Sequence, residues 1–342
     1  MIGTPFGSVL DVPGVGVGHY QRTGSGWQTG STVITVARGA TPGVDVRGGG
    51  PGTRETDALR PENLVQQIHA VTLTGGSAYG LAAADGVVGL LEQRGLGFPI
   101  AESVVPVVPA AVIFDLGRGG AFTSRPNALF GERAARTALA GRKLPGWGSV
   151  GAGTGARAGG LQGGVGTAST TLQIGNAGVI VAAIAVVNSN GSAVDPTTAL
   201  PWERHSLRLT RPSVNERNRV RSVLANQAAV GLNTTIGVVV TSAALDKAEC
   251  SKVAAVAHDG LARAIRPAHS MTDGDTVFTL ATGDTNLPAH VNNSTRFAAI
   301  NQILRAGADV FSAACTHAVV SATTIGDTPA WRDLCPNTLA AC

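Results

Sequence analysis

The chain has 342 residues, of which 44% are hydrophobic and only 14% charged. That excludes a disordered chain, which needs low hydrophobicity and high net charge, and the length fits one or two packed domains. The net charge of +4 is small, and the densest basic stretch, Arg208 to Arg221, is broken by Glu216 and lacks interleaved aromatic rings, so no nucleic-acid partner is expected.

Aromatic residues are 4%, so the core must be built from Val, Ala, Leu and Ile, and 46 glycines and 17 prolines imply many tight turns. The longest unbroken apolar runs, Val105–Phe114 and Gly178–Val187, reach ten residues, against about twenty for a membrane-spanning helix. No basic segment followed by an apolar run opens the chain, so the expectation is a cytoplasmic protein without a membrane partner. Cys250, Cys315, Cys335 and Cys342 form no CxxC pair, which argues against zinc. A Cys315–Cys335 or Cys335–Cys342 disulfide stays open, with free thiols the expectation in a reducing compartment.

In chain order, Ser31–Ala37 reads as a strand and Val44–Thr56 as a glycine-rich loop. Pro61 at a first helical position beside Glu62 predicts a short helix over Pro61–Val71. Thr72–Leu73 belongs to a short strand entering the Gly75-Gly76 turn. Ala78–Gln93 gathers Leu81, Val87, Val88, Leu90 and Leu91 on one helical face and is closed by Gly95. Val104–Phe114 reads as buried strand interrupted by Pro106 and Pro109, and Gly131–Ala140 as helix. Ten of the 21 residues in Gly146–Gly166 are glycine. Strands follow at Thr167–Ile174 and Val179–Asn188, then a charged helix at Pro212–Gln227 and an apolar strand at Thr234–Thr241. Asp246 and Glu249 form a capping-box signal for a helix over Asp246–Ile265, with Leu245 as a staple and Pro267 as its stop. A strand at Asp275–Ala281 and a helix at Asn292–Ala314 complete a layered α/β pattern without internal repeats.

Several standard chemistries are absent from the sequence. Gly76-Ser77-Ala78-Tyr79-Gly80 has the wrong spacing for a nucleophile elbow. No GxxxxGK[ST] loop occurs, and the GxGxG runs at Gly14–Gly18 and Gly151–Gly155 are not followed by a helix-forming run. The seven histidines are scattered without HExxH or HxH spacing. No metal and no cofactor are therefore expected.

Other landmarks occur in a fixed order. They are Asp11-Val12-Pro13-Gly14-Val15-Gly16-Val17-Gly18-His19, then Val44 to Asp57 (VDVRGGGPGTRETD), then Leu73-Thr74-Gly75-Gly76-Ser77-Ala78-Tyr79-Gly80. Val187-Asn188-Ser189-Asn190-Gly191, Gly231 to Thr241 (GLNTTIGVVVT) and Asp273-Gly274-Asp275-Thr276 follow. Together, over about residues 8 to 312, they resemble the self-cleaving L-aminopeptidase/D-Ala-esterase/amidases. That family includes β-peptidyl aminopeptidases and nylon-oligomer endo-hydrolases. The tail after His317 carries none of the landmarks.

The resemblance implies a four-layer αββα fold of N-terminal-nucleophile type, one intertwined domain over 1–342. It implies self-cleavage between Asn233 and Thr234 into an α-chain, 1–233, and a β-chain, 234–342. Cleavage would give Thr234 a free α-amine, whose pKa near 7.7–8.0 makes it a usable base for its own hydroxyl. Asn188 would donate to the oxyanion. Asp273 and Asp275 would hold the Thr234 ammonium, and Tyr79 would supply a second donor or line the pocket. Read without the resemblance, Asn188 and the aspartates are turn residues, Tyr79 packs, and Thr234 starts a strand.

Two departures separate this chain from the serine aminopeptidases of the family: the nucleophile is Thr, and Asp273 and Asp275 replace a Ser/Glu arrangement. Both features are similar to the nylon-oligomer hydrolases, but a Lys that those carry before a Gly-Gly turn is Gln162 here. The expected substrate is a short peptide or ω-amino amide. The alternatives are endo-hydrolysis of 6-aminohexanoate oligomers and polyamide, or a non-catalytic oligomeric binding protein. Assembly as a homo-oligomer of αβ protomers, a tetramer, is expected from the low charged fraction together with the family's habit.

Overall fold

The computed structural model describes residues 6–141, 145–205, 207–226, 232–287 and 293–339. One long strand organises it. β1 (Val15–Gly24) turns into β2 (Trp27–Val46), which runs for 20 residues. The first half of β2 pairs antiparallel with β1 and with β3 (Ile68–Thr74). β3 in turn pairs parallel with β4 (Ala110–Val112), whose other edge takes the two-residue strand Thr53–Arg54. The β2–β3 register breaks between Thr35 and Ala40, and from Thr41 to Val46 the second half of β2 serves a different set of strands.

That set is β5 (Gly164–Ile174), β6 (Ala177–Val187), β7 (Ile236–Ala243) and β8 (Thr276–Thr285). They pair in this order, β7 parallel to β8 and the others antiparallel, and β8 closes on the second half of β2. The helices are α1 (Ala83–Gln93), α2 (Ala128–Ala140), α3 (Val214–Ala225), α4 (Lys247–Ala264) and α5 (Asn293–Ser321).

Burial separates into three apolar clusters, as four layers require. The middle cluster joins Ile34 and Leu73 from one half-sheet to Ile184, Val238 and Phe278 from the other. Strand alternation then divides each strand between clusters. On β6, Ala182, Ile184 and Val186 face the middle, while Val181, Ala183 and Ala185 join Val253, Ile303 and Phe311 of α4 and α5. On the other side Val33 and Ala70 meet Val87, Leu91 and Ala134 of α1 and α2. The architecture is the expected αββα sandwich, folded over through β2.

Most predicted elements lie where the pattern placed them, and α4 carries its capping box: Asp246 accepts the Glu249 N–H at 2.7 Å, and Glu249 accepts the Asp246 N–H at 3.0 Å. Glu249 also pairs with Arg296 at 2.6 Å, tying α4 to α5. Pro61–Val71 is not a helix. Residues 61–67 form turns, and Ile68, Ala70 and Val71 enter β3, where pairing with β2 and burial between layers outweigh the helix-start signal. Ala78–Gln93 is split into a single turn, Ser77–Gly80, and α1.

α5 is longer than expected and is apolar enough over Ser294–Ser321 to cross a membrane by length and composition, with 83% of that window buried. Counting unbroken apolar runs overlooked it because Ser, Thr and His interrupt an Ala-rich helix that packs in the core. Cys250, Cys315 and Cys335 are buried and free, so no Cys315–Cys335 bond forms; Cys342 lies outside the described residues.

The tail that carries no motif is still part of the core. Trp331 is fully buried beside Cys335 and donates its Nε1–H to the Ala199 carbonyl at 2.7 Å. Trp331→Ala should lower unfolding stability by about 3–5 kcal/mol, the usual cost of emptying a large aromatic site. Urea unfolding measures it, and a loss under about 1 kcal/mol would mean that the tail only rests on the surface.

Candidate active site

Strand directions bring the site together. β7 and β8 are parallel, with Ile236 opposite Thr276, so the segments that lead into them start at the same end. β6 is antiparallel to β7 and ends there, with Val186 opposite Ile236. Thr234, Asp275 and Asn188 thus converge at one end of three adjacent strands. A further bridge pairs Asn233 with Asp273. Asn188, Asn233, Thr234, Asp273 and Asp275 are each 5% exposed or less.

The chain is continuous through Asn233 and Thr234. The Thr234 N–H donates to the Asn188 carbonyl, and the Thr234 hydroxyl donates to the Asn233 carbonyl. The hydroxyl oxygen therefore lies against the carbonyl of the bond expected to break. Asn188 Oδ1 accepts from Arg118 Nη1 and from the Arg157 N–H at 3.0 Å. Its Nδ2 is buried without a hydrogen-bond partner among the described residues. A fixed, dry and unpaired donor is what an oxyanion needs.

The two carboxylates frame the nucleophile through the backbone. Asp275 Oδ1 accepts the Thr235 N–H at 2.7 Å, and Oδ2 accepts from His269 Nδ1 at 2.7 Å. Asp273 accepts the Asn190 N–H at 3.2 Å and both the N–H and hydroxyl of Ser270. The Arg47-Gly48-Gly49 loop packs on this segment, and a Cβ on Gly48 would lie 2.3 Å from the Asp273 carbonyl oxygen.

Tyr79 lies on the single turn Ser77–Gly80 that follows the Gly75-Gly76 turn. It is 57% exposed and lies under the Arg125 guanidinium, 3.8 Å from the ring centre. What the Gly75-Gly76 turn does bring in is Asp115, which follows β4. Asp115 accepts from Thr29 Oγ1 at 2.6 Å and from the Gly76 N–H at 2.7 Å. A Cβ on Gly75 would lie 2.1 Å from Asp115 Oδ2, so only glycine allows this approach. Burial pushes the Asp115 carboxyl up to about 6, against these hydrogen bonds and the nearby Arg118. Burial and the nearby Arg157 bring Arg118 down to about 10.

Sequence reasoning missed Arg118, Asp115 and His269. Arg118 is the most connected of them: besides Asn188 it donates to the Leu232 carbonyl at 2.7 Å and to Asn233 Oδ1 at 3.0 Å. No motif marks it; the only signal was a lone arginine in a glycine-rich turn. Gln162, where the nylon-oligomer hydrolases carry Lys, is fully buried, and its Nε2 donates to the carbonyls of Gly153, Thr154, Ala156 and Gly163. Among the described residues no group of three His, Cys, Asp or Glu is placed to hold a metal.

Known proteins resemble this chain over nearly its whole length. Residues 7–329 match the model of peptidase family S58. The chain is 45% identical, over 96% of its own length and 98% of the relative's, to an uncharacterized aminopeptidase of Mycobacterium tuberculosis. It is 30% identical to the 6-aminohexanoate-oligomer endohydrolase of Kocuria sp., over 83% of this chain and 78% of that one. Among solved structures it is similar to the L-aminopeptidase D-Ala-esterase/amidase from Ochrobactrum anthropi, with a TM-score of 0.69, 19% identity and coverage of 94% and 88% of the two chains. A Burkholderia sp. β-aminopeptidase aligns at a TM-score of 0.65 and 24% identity, over 96% and 91%. The chain belongs to peptidase family S58 and is a hydrolase of amide bonds.

Proposed function

We propose that the protein is a self-processing N-terminal-threonine amide hydrolase acting as an aminopeptidase on short peptides or ω-amino amides. The observation that carries this reading is the buried Thr234 hydroxyl held against the Asn233 carbonyl, with the Thr234 N–H on the Asn188 carbonyl. In maturation, Thr234 Oγ1 attacks the Asn233 carbonyl carbon, and the hydroxyl proton passes to the departing Thr234 nitrogen. The C–N bond breaks and leaves an ester. Water hydrolyses that ester, giving a carboxylate on Asn233 and restoring the Thr234 hydroxyl beside the amine freed when the C–N bond broke.

In turnover the amine takes the hydroxyl proton as Oγ1 attacks the substrate carbonyl, and returns it to the leaving amine. Water then releases the acyl group. Asn188 Nδ2 serves the oxyanion in both reactions, a donor typically worth about 10²–10³ in rate. Asp275 holds the Thr235 N–H and so fixes the backbone that carries the nucleophile.

The similarity to a 6-aminohexanoate-oligomer endohydrolase favours a second reading, internal cleavage of oligoamides. Product length separates the two: single residues from the amino end, or internal oligomers. A non-catalytic binding protein finds no support in a buried hydroxyl, carbonyl and unpaired amide so arranged. Assembly of αβ protomers into a homo-oligomer, and residence in the cytoplasm, belong to the same proposal; three buried free thiols support a reducing compartment.

On denaturing gels the 34.4 kDa chain should resolve into fragments of roughly 23 and 11 kDa, by share of residues, with the smaller beginning at Thr234. Thr234→Ala should remain one band and be inactive, while Thr234→Ser keeps hydroxyl and amine and so retains part of both activities. A small fragment that starts elsewhere on N-terminal sequencing would displace Thr234 from its role.

Asp275→Asn keeps the size of the side chain and removes its charge from the Thr235 N–H. A charged hydrogen bond contributes about 1.5–3 kcal/mol, against about 1 for a neutral one. The difference, about 0.5–2 kcal/mol, corresponds to an expected loss in kcat/KM of cleaved enzyme of about 2- to 30-fold. A change within twofold at an unchanged Tm would leave Asp275 only a turn residue.

Asp115 adds a pH signature. Its carboxyl titrates near 6 when folded and near its ordinary 3.8 when unfolded. Between those values the folded chain holds the extra proton. The contribution of this group to stability is therefore complete below about 4 and is lost as pH rises through about 6. Asp115→Asn should thus gain stability relative to the parent chain between pH 4.5 and 7.5, as read by urea unfolding. A pH-independent difference would show that Asp115 ionises alike in both states.

A further inference from the structure

We propose that the acyl side of the site selects a residue whose side chain carries a carboxylate or carboxamide oxygen, and that Arg118 is the group that reads it. The inference rests on the proposed function, in which Thr234 attacks the Asn233 carbonyl once and substrate carbonyls thereafter. One nucleophile and one amide donor serve both reactions, so the reacting carbonyl must occupy the same place in each. What surrounds Asn233 in the continuous chain therefore surrounds the acyl residue of a substrate.

Asn233 is 5% exposed, and its surroundings are specific. Its backbone N–H donates to the Thr272 carbonyl at 2.9 Å. Its side-chain Oδ1 accepts from Arg118 Nη2 at 3.0 Å, and the same nitrogen donates to the Leu232 carbonyl at 2.7 Å. Arg118 Nη1 is fixed on Asn188 Oδ1, so the guanidinium is anchored to the oxyanion donor and turned toward the side chain of the acyl residue.

A substrate with a free amino terminus has no residue before its acyl residue. The Nη2 hydrogen that the Leu232 carbonyl takes in the continuous chain is then released. It becomes available to the second oxygen of a carboxylate, giving a two-pronged contact that a planar guanidinium suits. Arg157 reinforces the bias: its N–H meets the same Asn188 Oδ1, and its charge lies within electrostatic reach of Arg118. A lysine-like acyl residue would bring a third cation to this spot. The substrate class that fits is an aspartyl- or asparaginyl-type amide.

The test uses the self-cleaved enzyme and the 4-nitroanilides of Asp, Asn, Ala and Lys. Values of kcat/KM for Asp and Asn should exceed that for Ala by at least about tenfold, with Lys lowest. In R118Q every substrate loses rate through Asn188, so the readout is the Asp-to-Ala ratio, which should fall about tenfold while R118K retains part of it. If R118Q does not process itself, the series on the parent enzyme decides the matter alone. Hydrolysis of Ala and Lys as fast as Asp and Asn overturns the assignment and leaves amide hydrolysis standing. An intact, inert parent chain overturns both. A preference for Asp over Asn assigns the carboxylate, and equal rates assign the shared oxygen.

Discussion

The parallel pairing of β7 with β8 is the constraint on which the site depends. Parallel neighbours begin at the same end, so residues just before each strand meet there, however far apart they are in sequence. With β6 antiparallel on the other side, Asn188 arrives at that end as its strand finishes, while Thr234 and Asp275 arrive as theirs start. All eight residues of β7 are buried, as expected for a strand covered on both faces. A strand so placed cannot slip by one residue without turning Ile236, Val238 and Val240 away from the middle cluster. The position of Thr234 is thus fixed by the packing of the whole sandwich rather than by local turn preference.

That end of the sheet concentrates polar groups where water is scarce, and each must be compensated. Asp273 and Asp275 are compensated by backbone N–H groups, Ser270 and His269. Asp115 is compensated less fully, and burial wins over its hydrogen bonds and Arg118, which leaves its carboxyl near 6. Asn188 is treated differently. Its acceptor is taken twice while its donor is left open. An unmade hydrogen bond in the interior is costly, and in the proposed mechanism the oxyanion would take up this donor. The amide is oriented before any reaction starts, so no reorganisation is required then.

The fold was legible in outline because its periodicities are strong. Alternation on β6 and β7, the capping box of Asp246 and Glu249, and the ordered glycine landmarks all survive in three dimensions. The helix expected over Pro61–Val71 failed because a local start signal says nothing about β2, whose pairing decides that segment. Thr234, Asn188 and the Asp pair stand out in the sequence only as parts of an ordered resemblance, and the fold brings them to one end of the sheet; singly, each reads as a turn or a strand start. Tyr79 shares a landmark with the site and is more than half exposed, with Arg125 over its ring. Arg118 and Asp115 left no periodic trace, because their roles arise from contacts across the fold: Thr29 and Gly76 for one, Asn188 and Asn233 for the other.

In the proposed mechanism the contacts of Thr234 let one geometry serve two reactions. In the continuous chain its amide N–H donates to the Asn188 carbonyl. Once the bond to Asn233 is cut, that nitrogen becomes an amine with further hydrogens and, when neutral, a lone pair. The Asn188 carbonyl can keep one hydrogen in the same direction, which leaves the lone pair free to face Oγ1 without any strand having to move. β7 continues to hold the α-carbon, through its pairing with β6 and β8 and through the Asp275 bond to the Thr235 N–H. Cleavage then changes the chemistry of one nitrogen while the hydroxyl, the Asn188 amide and the framing carboxylates stay in place. In the proposed mechanism Asn188 would join the two stages, its carbonyl aiming the base and its side chain receiving the oxyanion. Arg118, bound to that same side chain, would then couple the grip on the acyl residue to the orientation of the oxyanion donor.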